Sequence, residues 1–505
     1  MKRAAAVLLA VSMFATGAAG EATDVFWPMF GGNPSRDGNS IHPDGSRGPV
    51  EFGEGELGLL WSSPPPEVVY SYNMGATGSS PILISVGSKP LLIVGSYDRH
   101  VYGYNAITGE PEWQFTTGDS VTATPCYARI NGTDMVFVAS SDRTVYALDP
   151  TTGKELSAGP GVTWRYEAYP WSDSVQPAMA GDLMVAEVDG KAVLFVTMFI
   201  NDLRSEGNVQ QSALYALDPL TAKLLWKAEI GAGLTAAPSF GRVKGEPAVF
   251  CTDDAGALFA FSARDGRELW DEPFISQYDI RSAATSIEID GRRLLYFGSR
   301  LYYAYCIDAD TKEVRWNFYA GTWIDSTPAI HYGDDRQVSI FGDYNKKVYA
   351  VDAVTGEGLW DCTAYGHFCS SPVLLKLNGA VSAAMPCLDN HLYILNAETG
   401  EIAFRAFTGK FLWSHYQRGD TIWSSAAVAQ LAGRGLLAVS SYDGRVYVFG
   451  IGGKPVNLGP PETKLLDAFG GSVATAVILG LAIVAALIYS GARIVKKTRA
   501  EKRKA

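Results

Sequence analysis

The side chains with the most chemistry to offer lie in the stretches that precede a recurring small-residue cluster. Tyr72 and Asn73 belong to the first of these; Tyr169, Trp171 and Asp173 to another; then come Tyr278, Asp279 and Arg281, Trp323 with Asp325, Tyr365 with His367, and finally Trp413, Tyr416, Arg418, Asp420 and Trp423. Aromatic rings supply stacking surfaces, and carboxylates mixed with arginines supply orientation. Such a mixture suits recognition of a peptide, a glycan or a flat cofactor. The candidate binding set is therefore Tyr72, Asn73, Trp171, Asp173, Asp279, Arg281, Trp323, Asp325, His367, Arg418, Asp420 and Trp423. Asp173, Asp279, Asp325 and Asp420 come from separate segments, which argues against a shared cation site, and no metal is expected.

Catalytic patterns are absent. There is no P-loop, no G-x-S-x-G nucleophile elbow and no H-E-x-x-H, and no catalytic residue is singled out. His100 and His391 occupy the same place in a repeat, which reads as a solvated strand face. The cysteines Cys126, Cys251, Cys306, Cys362, Cys369 and Cys387 are sparse, irregular and never spaced C-x-x-C, so they are neither a zinc nor a redox motif. Cys251 and Cys306 read as small buried apolar groups within strands. Cys362 and Cys369 bracket a short step between two repeats, which leaves two alternatives, a disulfide between them or small apolar thiols.

The scaffold that must carry the candidate residues is repetitive. A strand ending in an aromatic residue is followed by Asp or Asn, a Thr-Gly-like pair, and a second aromatic four places after the glycine. Copies end at Trp113, Ser157, Trp226, Trp270, Trp316, Trp360 and Phe404, spaced 44, 69, 44, 46, 44 and 44 residues apart. Asp149, Asp218, Asp352, Asn105 and Asn396 are placed to bond the turn backbone, and glycines such as Gly109 and Gly400 to adopt positive φ. The tryptophan then lies early in an outer strand, where its ring packs on the neighbouring repeat, so these tryptophans read as structural.

Each hairpin is preceded by a small-residue opening such as GSSPIL, TATPCY, TAAPSF or SSPVL. Eight openings are followed by seven hairpins, because the last copy, SYDGRVYVFGIGG, lacks its aromatic strand. Leu57 to Trp61, LGLLW, supplies it. The expected fold is therefore all-β, an eight-bladed β-propeller of four-stranded blades closed by an N-terminal strand. Two copies depart: Ser157 replaces an aromatic and Trp164 follows it, implying a shifted or bulged strand, and the segment from Asn201 to Ser212 extends a hairpin into an idle loop or a docking element.

The ends set the compartment. Residues 1–20 carry Lys2 and Arg3, an apolar run and then small residues, as a secretory signal does. Residues 469–490 contain no charged side chain over 22 positions, which at about 1.5 Å per residue spans about 33 Å, and seven Lys or Arg follow. The expected organisation is a signal peptide at 1–20, an ectodomain at 21–451, a linker at 452–468, a transmembrane helix at 469–490 and a basic cytoplasmic tail at 491–505, a single pass with the propeller outside the cytoplasm. The formal charge is -11, and setting the basic ends aside leaves the body at about -19 with no basic run, so nucleic acid is not an expected partner.

The repeat resembles the eight-bladed propellers of the pyrroloquinoline-quinone (PQQ) type over about residues 24–451, and WPMFGGNPSRDGNS from Trp27 is similar to the opening of exported members. That resemblance implies the fold. It spans quinone-dependent alcohol dehydrogenases, the propeller lipoprotein of the outer-membrane barrel-assembly machinery and stress-sensor lumenal domains. Many of the dehydrogenases carry adjacent cysteines under the quinone, which this chain lacks, and their calcium-binding Glu/Asn/Asp set is not recognised here. The lipoprotein's lipidated cysteine and the sensors' cytoplasmic catalytic domain are also missing. The expectation is a membrane-anchored, non-catalytic binding or scaffold module at the cell envelope, with a protein or glycan partner at the propeller face and no cofactor. The alternatives are a membrane-tethered quinoprotein alcohol or sugar dehydrogenase using PQQ with calcium, and a glycan-binding propeller.

Overall fold

The computed structural model describes Asp24 and residues 26–42, 46–63, 79–169, 179–202, 209–231, 233, 236–333, 335–408, 424–441 and 444–454. The expected signal peptide at 1–20, most of the expected linker, the 469–490 segment and the expected tail lie outside the described residues, as do Tyr72, Asn73, Trp171, Asp173, Arg418, Asp420 and Trp423. Among the described residues no helix is long and apolar enough to cross a membrane.

The described chain is all-β, with eight antiparallel blades in sequence order. Their innermost strands are Ile82–Val86, Cys126–Ile130, Met184–Val188, Ser239–Val243, Thr285–Ile289, Ala329–Tyr332, Val373–Leu377 and Ala427–Leu431, heading blades 1 to 8. Inner and middle strands such as Ile82–Val86 and Thr144–Leu148 are almost wholly buried, because both faces meet a neighbouring blade. The outer strand Leu224–Ile230 instead alternates between exposed and buried positions, with one face in solvent. Blade 8 takes its outer strand from Leu57–Ser62, which pairs antiparallel with Val446–Ile451 and closes the ring as the sequence implies.

Adjacent blades are locked by the repeat tryptophans. The indole N–H groups of Trp61, Trp113, Trp164, Trp226, Trp270, Trp316 and Trp360 each donate to a backbone carbonyl in the turn of the next blade, at 2.8–3.2 Å. At Gly153 (φ 68°) an added Cβ would come within 2.5 Å of Trp113, so the turn needs glycine for both conformation and space. Blade 2 keeps the lock despite Ser157: a small hairpin, Ser157–Gly159 with Val162–Thr163, loops out and delivers Trp164 to the lock position. The 46-residue step arises after Trp270, where Asp271, Glu272 and Pro273 bulge before the short outer strand Phe274–Ile275. In blade 3 the middle strands Lys191–Asp202 and Val209–Leu217 are long, confirming an extended hairpin.

The central channel contains a feature that the sequence reading did not foresee. The segment 26–42 threads around it and bonds to every blade. The carbonyls of Trp27, Pro28, Pro34, Ser35, Asp37 and Gly38 accept from the backbone N–H of Leu83, Tyr127, Phe240, Ser286, Ile330 and Leu374, the second residue of the inner strand in blades 1, 2, 4, 5, 6 and 7. Arg36 reaches blade 3 by donating to the Leu183 carbonyl at 2.9 Å, and the Ser40 hydroxyl donates to Val428 in blade 8 at 3.2 Å. Arg36 is 1% exposed and also donates to the carbonyls of Pro238 and Phe30. Burial lowers its pKa to about 10, with the nearby Asp182 opposing that shift. The chain then lays Val50–Glu51 parallel to the inner strand of blade 7 before reaching blade 8.

Two details of the reading need adjustment. His391 is buried rather than solvated: its ring lies 3.0 Å from the Asp389 carbonyl and packs on Phe407, whereas His100 is only part-buried. Cys362 and Cys369 do not form the disulfide: both are free thiols, as are the other four cysteines. Cys362 stays on an outer strand paired with Val348, while Cys369 lies against Tyr344. Cys251 and Cys306 are buried within strands as anticipated.

Candidate functional site

On one face of the ring, each of blades 4 to 7 presents two neighbouring pieces: the segment leading into its inner strand, and the turn between its second and third strands. The backbone ties them together. Asp254, Arg300, Tyr344 and Leu388 hold equivalent turn positions, and their N–H groups donate to the carbonyls of Gly233, Asp279, Trp323 and His367 at 2.9–3.0 Å. Because the main chain alone fixes this geometry, the side chains at the turn position are free to differ.

Three of these side chains reach the incoming segment of the next blade. Asp254 of blade 4 faces Arg281 of blade 5 at 3.5 Å. Arg300 of blade 5 grips Asp325 of blade 6 with a two-pronged contact, Nε to Oδ1 at 2.9 Å and Nη2 to Oδ2 at 2.6 Å. Tyr344 of blade 6 lies beside Cys369 of blade 7. The same slot thus carries acid to base, base to acid, then phenol to thiol.

Arg300 is the centre of this ladder. Its guanidinium lies 4.6 Å from the Trp323 ring centroid and 5.8 Å from that of Tyr344, and Nη1 is 3.9 Å from Asp279. Tyr344 donates its hydroxyl to Asp325 at 3.0 Å, meets Trp323 edge to face and stacks on His367. The bonds to Asp325 raise the Arg300 pKa further, and burial does the same for the Tyr344 phenol and pushes the Cys369 thiol up to about 12. All three therefore keep their protons at neutral pH. Around this braced core Tyr278, Trp323 and Tyr365 are 56%, 39% and 42% exposed.

The structure thus gathers Asp279, Arg281, Trp323, Asp325 and His367 from the predicted set into one patch across blades 5 to 7. It adds Asp254, Arg300 and Tyr344, which the sequence reading missed because it scanned the incoming segments alone. The signal available was the turn position itself, where large polar groups stand in consecutive copies.

Calcium with PQQ, implied by the family resemblance, needs about six to eight oxygen ligands for the metal. The described residues do not fit it. Asp254, Asp279 and Asp325 each face a guanidinium, and among the described residues no three His, Cys, Asp or Glu side chains gather as a metal cluster.

Comparison with known proteins agrees with this architecture. The family model described as outer membrane protein assembly factor BamB, PQQ_2, matches residues 58–198, 210–295, 254–452 and 303–491. A polyvinylalcohol dehydrogenase of Sphingopyxis sp. is 23% identical over 422 residues, 71% of this chain, which spans only 57% of that relative's length. Among solved structures, BamB from Moraxella catarrhalis is 17% identical, covering 80% of this chain and 100% of that one at a TM-score of 0.50. The quinohemoprotein alcohol dehydrogenase from Comamonas testosteroni is 14% identical, covering 86% of this chain and 82% of that one at a TM-score of 0.61. At these identities the structural likenesses speak for the fold alone, whereas the family model covers most of the chain: this protein belongs to the PQQ_2 family of PQQ-like β-propellers.

Proposed function

We propose that the chain is a non-catalytic binding or scaffold module of the cell envelope, tethered by residues 469–490 with its propeller outside the cytoplasm. The observation that carries this reading is the ladder centred on Arg300. Its acids are paired, its phenol and thiol are held protonated, and its aromatics remain exposed, an arrangement suited to holding a partner rather than moving protons. Membership of a family named for an outer membrane assembly factor supports the same reading, and the apolar 469–490 segment with its basic flank supports the tether. The test is to express the full chain, fractionate membranes and treat intact cells with protease. A membrane-bound chain whose propeller is accessible from outside supports the tether and orientation; a fully soluble chain overturns them.

The similarity to a polyvinylalcohol dehydrogenase favours a second reading, a quinoprotein acting on alcohols or sugars. Titrating the full chain in detergent with PQQ and calcium decides between the two: stoichiometric binding with dye-linked oxidation of an alcohol establishes the second, and absence of both leaves the first.

A further inference from the structure

The two arginines of the patch are used differently. Arg300 is a strut: its side chain is 13% exposed, and Nε and Nη2 are both spent on Asp325. Arg281 is 39% exposed, with Nε 3.5 Å from Asp254 and Nη2 3.7 Å from Asp279, distances too long for strong hydrogen bonds. Its donors remain available at the surface. Asp279 is shared, lying 3.9 Å from Arg300 and so linking the open pair to the braced Trp323 ring. Tyr278, the most exposed of the three rim aromatics, immediately precedes Asp279.

The charge pattern selects the ligand. An anion approaching Arg281 meets two flanking carboxylates, and a cation approaching those carboxylates meets the guanidinium between them. A neutral group with donors and acceptors side by side suffers neither repulsion. Adjacent hydroxyls have that character: one accepts from an Arg281 N–H while its neighbour donates to Asp279 or Asp254. The exposed faces of Tyr278 and Trp323 would meanwhile cover apolar C–H surface. We propose that this patch binds the sugar rings of a neutral polysaccharide, with Arg281, Asp279 and Asp254 reading vicinal hydroxyls and Trp323 and Tyr278 stacking on ring faces. The proposal rests on the binding-module reading and names its ligand class. Arg300, Asp325 and Tyr344 are positioning residues that hold Trp323 in place.

The test uses the full chain in detergent, titrated with cellohexaose, chitohexaose and mannohexaose and followed by tryptophan fluorescence and calorimetry. The expected result is saturable binding of at least one hexasaccharide, with affinity changing less than about twofold between about 50 and about 500 mM NaCl, since no net charge is neutralised. Trp323→Ala should weaken it by about tenfold or more, and Arg281→Ala and Tyr278→Ala should each weaken it with unchanged thermal unfolding. The latter two residues are exposed, so these variants keep the test decisive if Trp323→Ala unfolds. Silence toward all three sugars, steep salt dependence, or binding indifferent to these substitutions would overturn the proposal. A photo-crosslinker placed at position 278 separates the two ideas: if sugars fail but it captures a protein in an Arg281-dependent way, the glycan ligand is wrong and the binding module stands; if sugars and capture both fail, both are wrong.

Discussion

The strap in the channel and the ladder on the face use the same eightfold scaffold by opposite means. The strap, residues 26–42, makes nearly the same backbone contact at the same inner-strand position around the ring, and most of it is buried. The ladder, described over blades 4 to 7, varies its side chains from blade to blade and stays partly exposed. Uniform contact to every blade is what closure requires; difference between equivalent positions is what recognition requires. The comparison predicts that damage to the strap is felt as stability and damage to the ladder as binding.

The largest effect should come from Arg36→Ala. It strips donors from the carbonyls of Phe30, Leu183 and Pro238 and removes the cation near Asp182. Leaving such acceptors without their partner costs about 1–3 kcal/mol each. Denaturant unfolding of the full chain checks it, and a loss under about 1 kcal/mol would mean that the blades hold the channel without the strap. Close behind is Trp316→Ala, which empties an inter-blade lock and should cost about 3–5 kcal/mol. Trp316→Phe keeps most of the ring and loses only the bond to the Ala353 carbonyl at 3.0 Å, for about 1 kcal/mol. Phe404, paired edge to face with Phe449, already lives without that bond.

Most of the closure machinery was legible in the sequence. Tryptophan spacing, turn glycines and a missing last strand all have side-chain signatures, and Trp164 could be matched to Ser157 because an aromatic had to stand somewhere near. The strap was not legible as a strap, because six of its eight blade contacts are made by main-chain carbonyls, which any residue possesses. Its sequence traces are indirect: Gly38, where a Cβ would come within 2.6 Å of Ala329, and a lone arginine. The ladder was half legible. Aromatics and acids drew attention to the incoming segments, but Arg300 and Tyr344 lie on turns whose importance depends on which blade stands beside them. His391 was misread for a related reason: its counterpart His100 is part-buried, and only the neighbouring Phe407 encloses His391.

A smaller effect separates two turn carboxylates by pH. Burial opposes ionisation of Asp389, but bonds and charge from His391, with help from Tyr393, hold its pKa below the ordinary value. Its stabilisation is therefore complete above the unfolded pKa of about 3.9 and is lost as pH falls through the lower folded value. Asp343 behaves oppositely. Burial raises its pKa despite N–H donors from Asn345 and Lys347, so the folded state takes up its proton first, and this residue contributes more stability at low pH than at neutral pH. Unfolding from pH 7 to pH 3 should show the penalty of Asp389→Asn shrinking with acid. A penalty that grows instead would reverse the assignment.

The smallest expected effect on stability is the most diagnostic, because it sets two tryptophans seven residues apart against each other. Trp316 is 7% exposed and fastens blade 5 to blade 6, while Trp323 is 39% exposed and rests on Arg300. Removing the second ring uncovers a guanidinium that keeps both bonds to Asp325, so nothing buried is left unpaired. Trp323→Ala should therefore cost no more than about 1 kcal/mol, the scale of a partly exposed cation–π contact, where Trp316→Ala costs several times that. Parallel melting curves of the two variants decide it. Equal losses would make the ladder another clamp, with its aromatics serving the ring rather than a ligand; unequal losses leave Trp323 as a ring held in position at little cost to the fold.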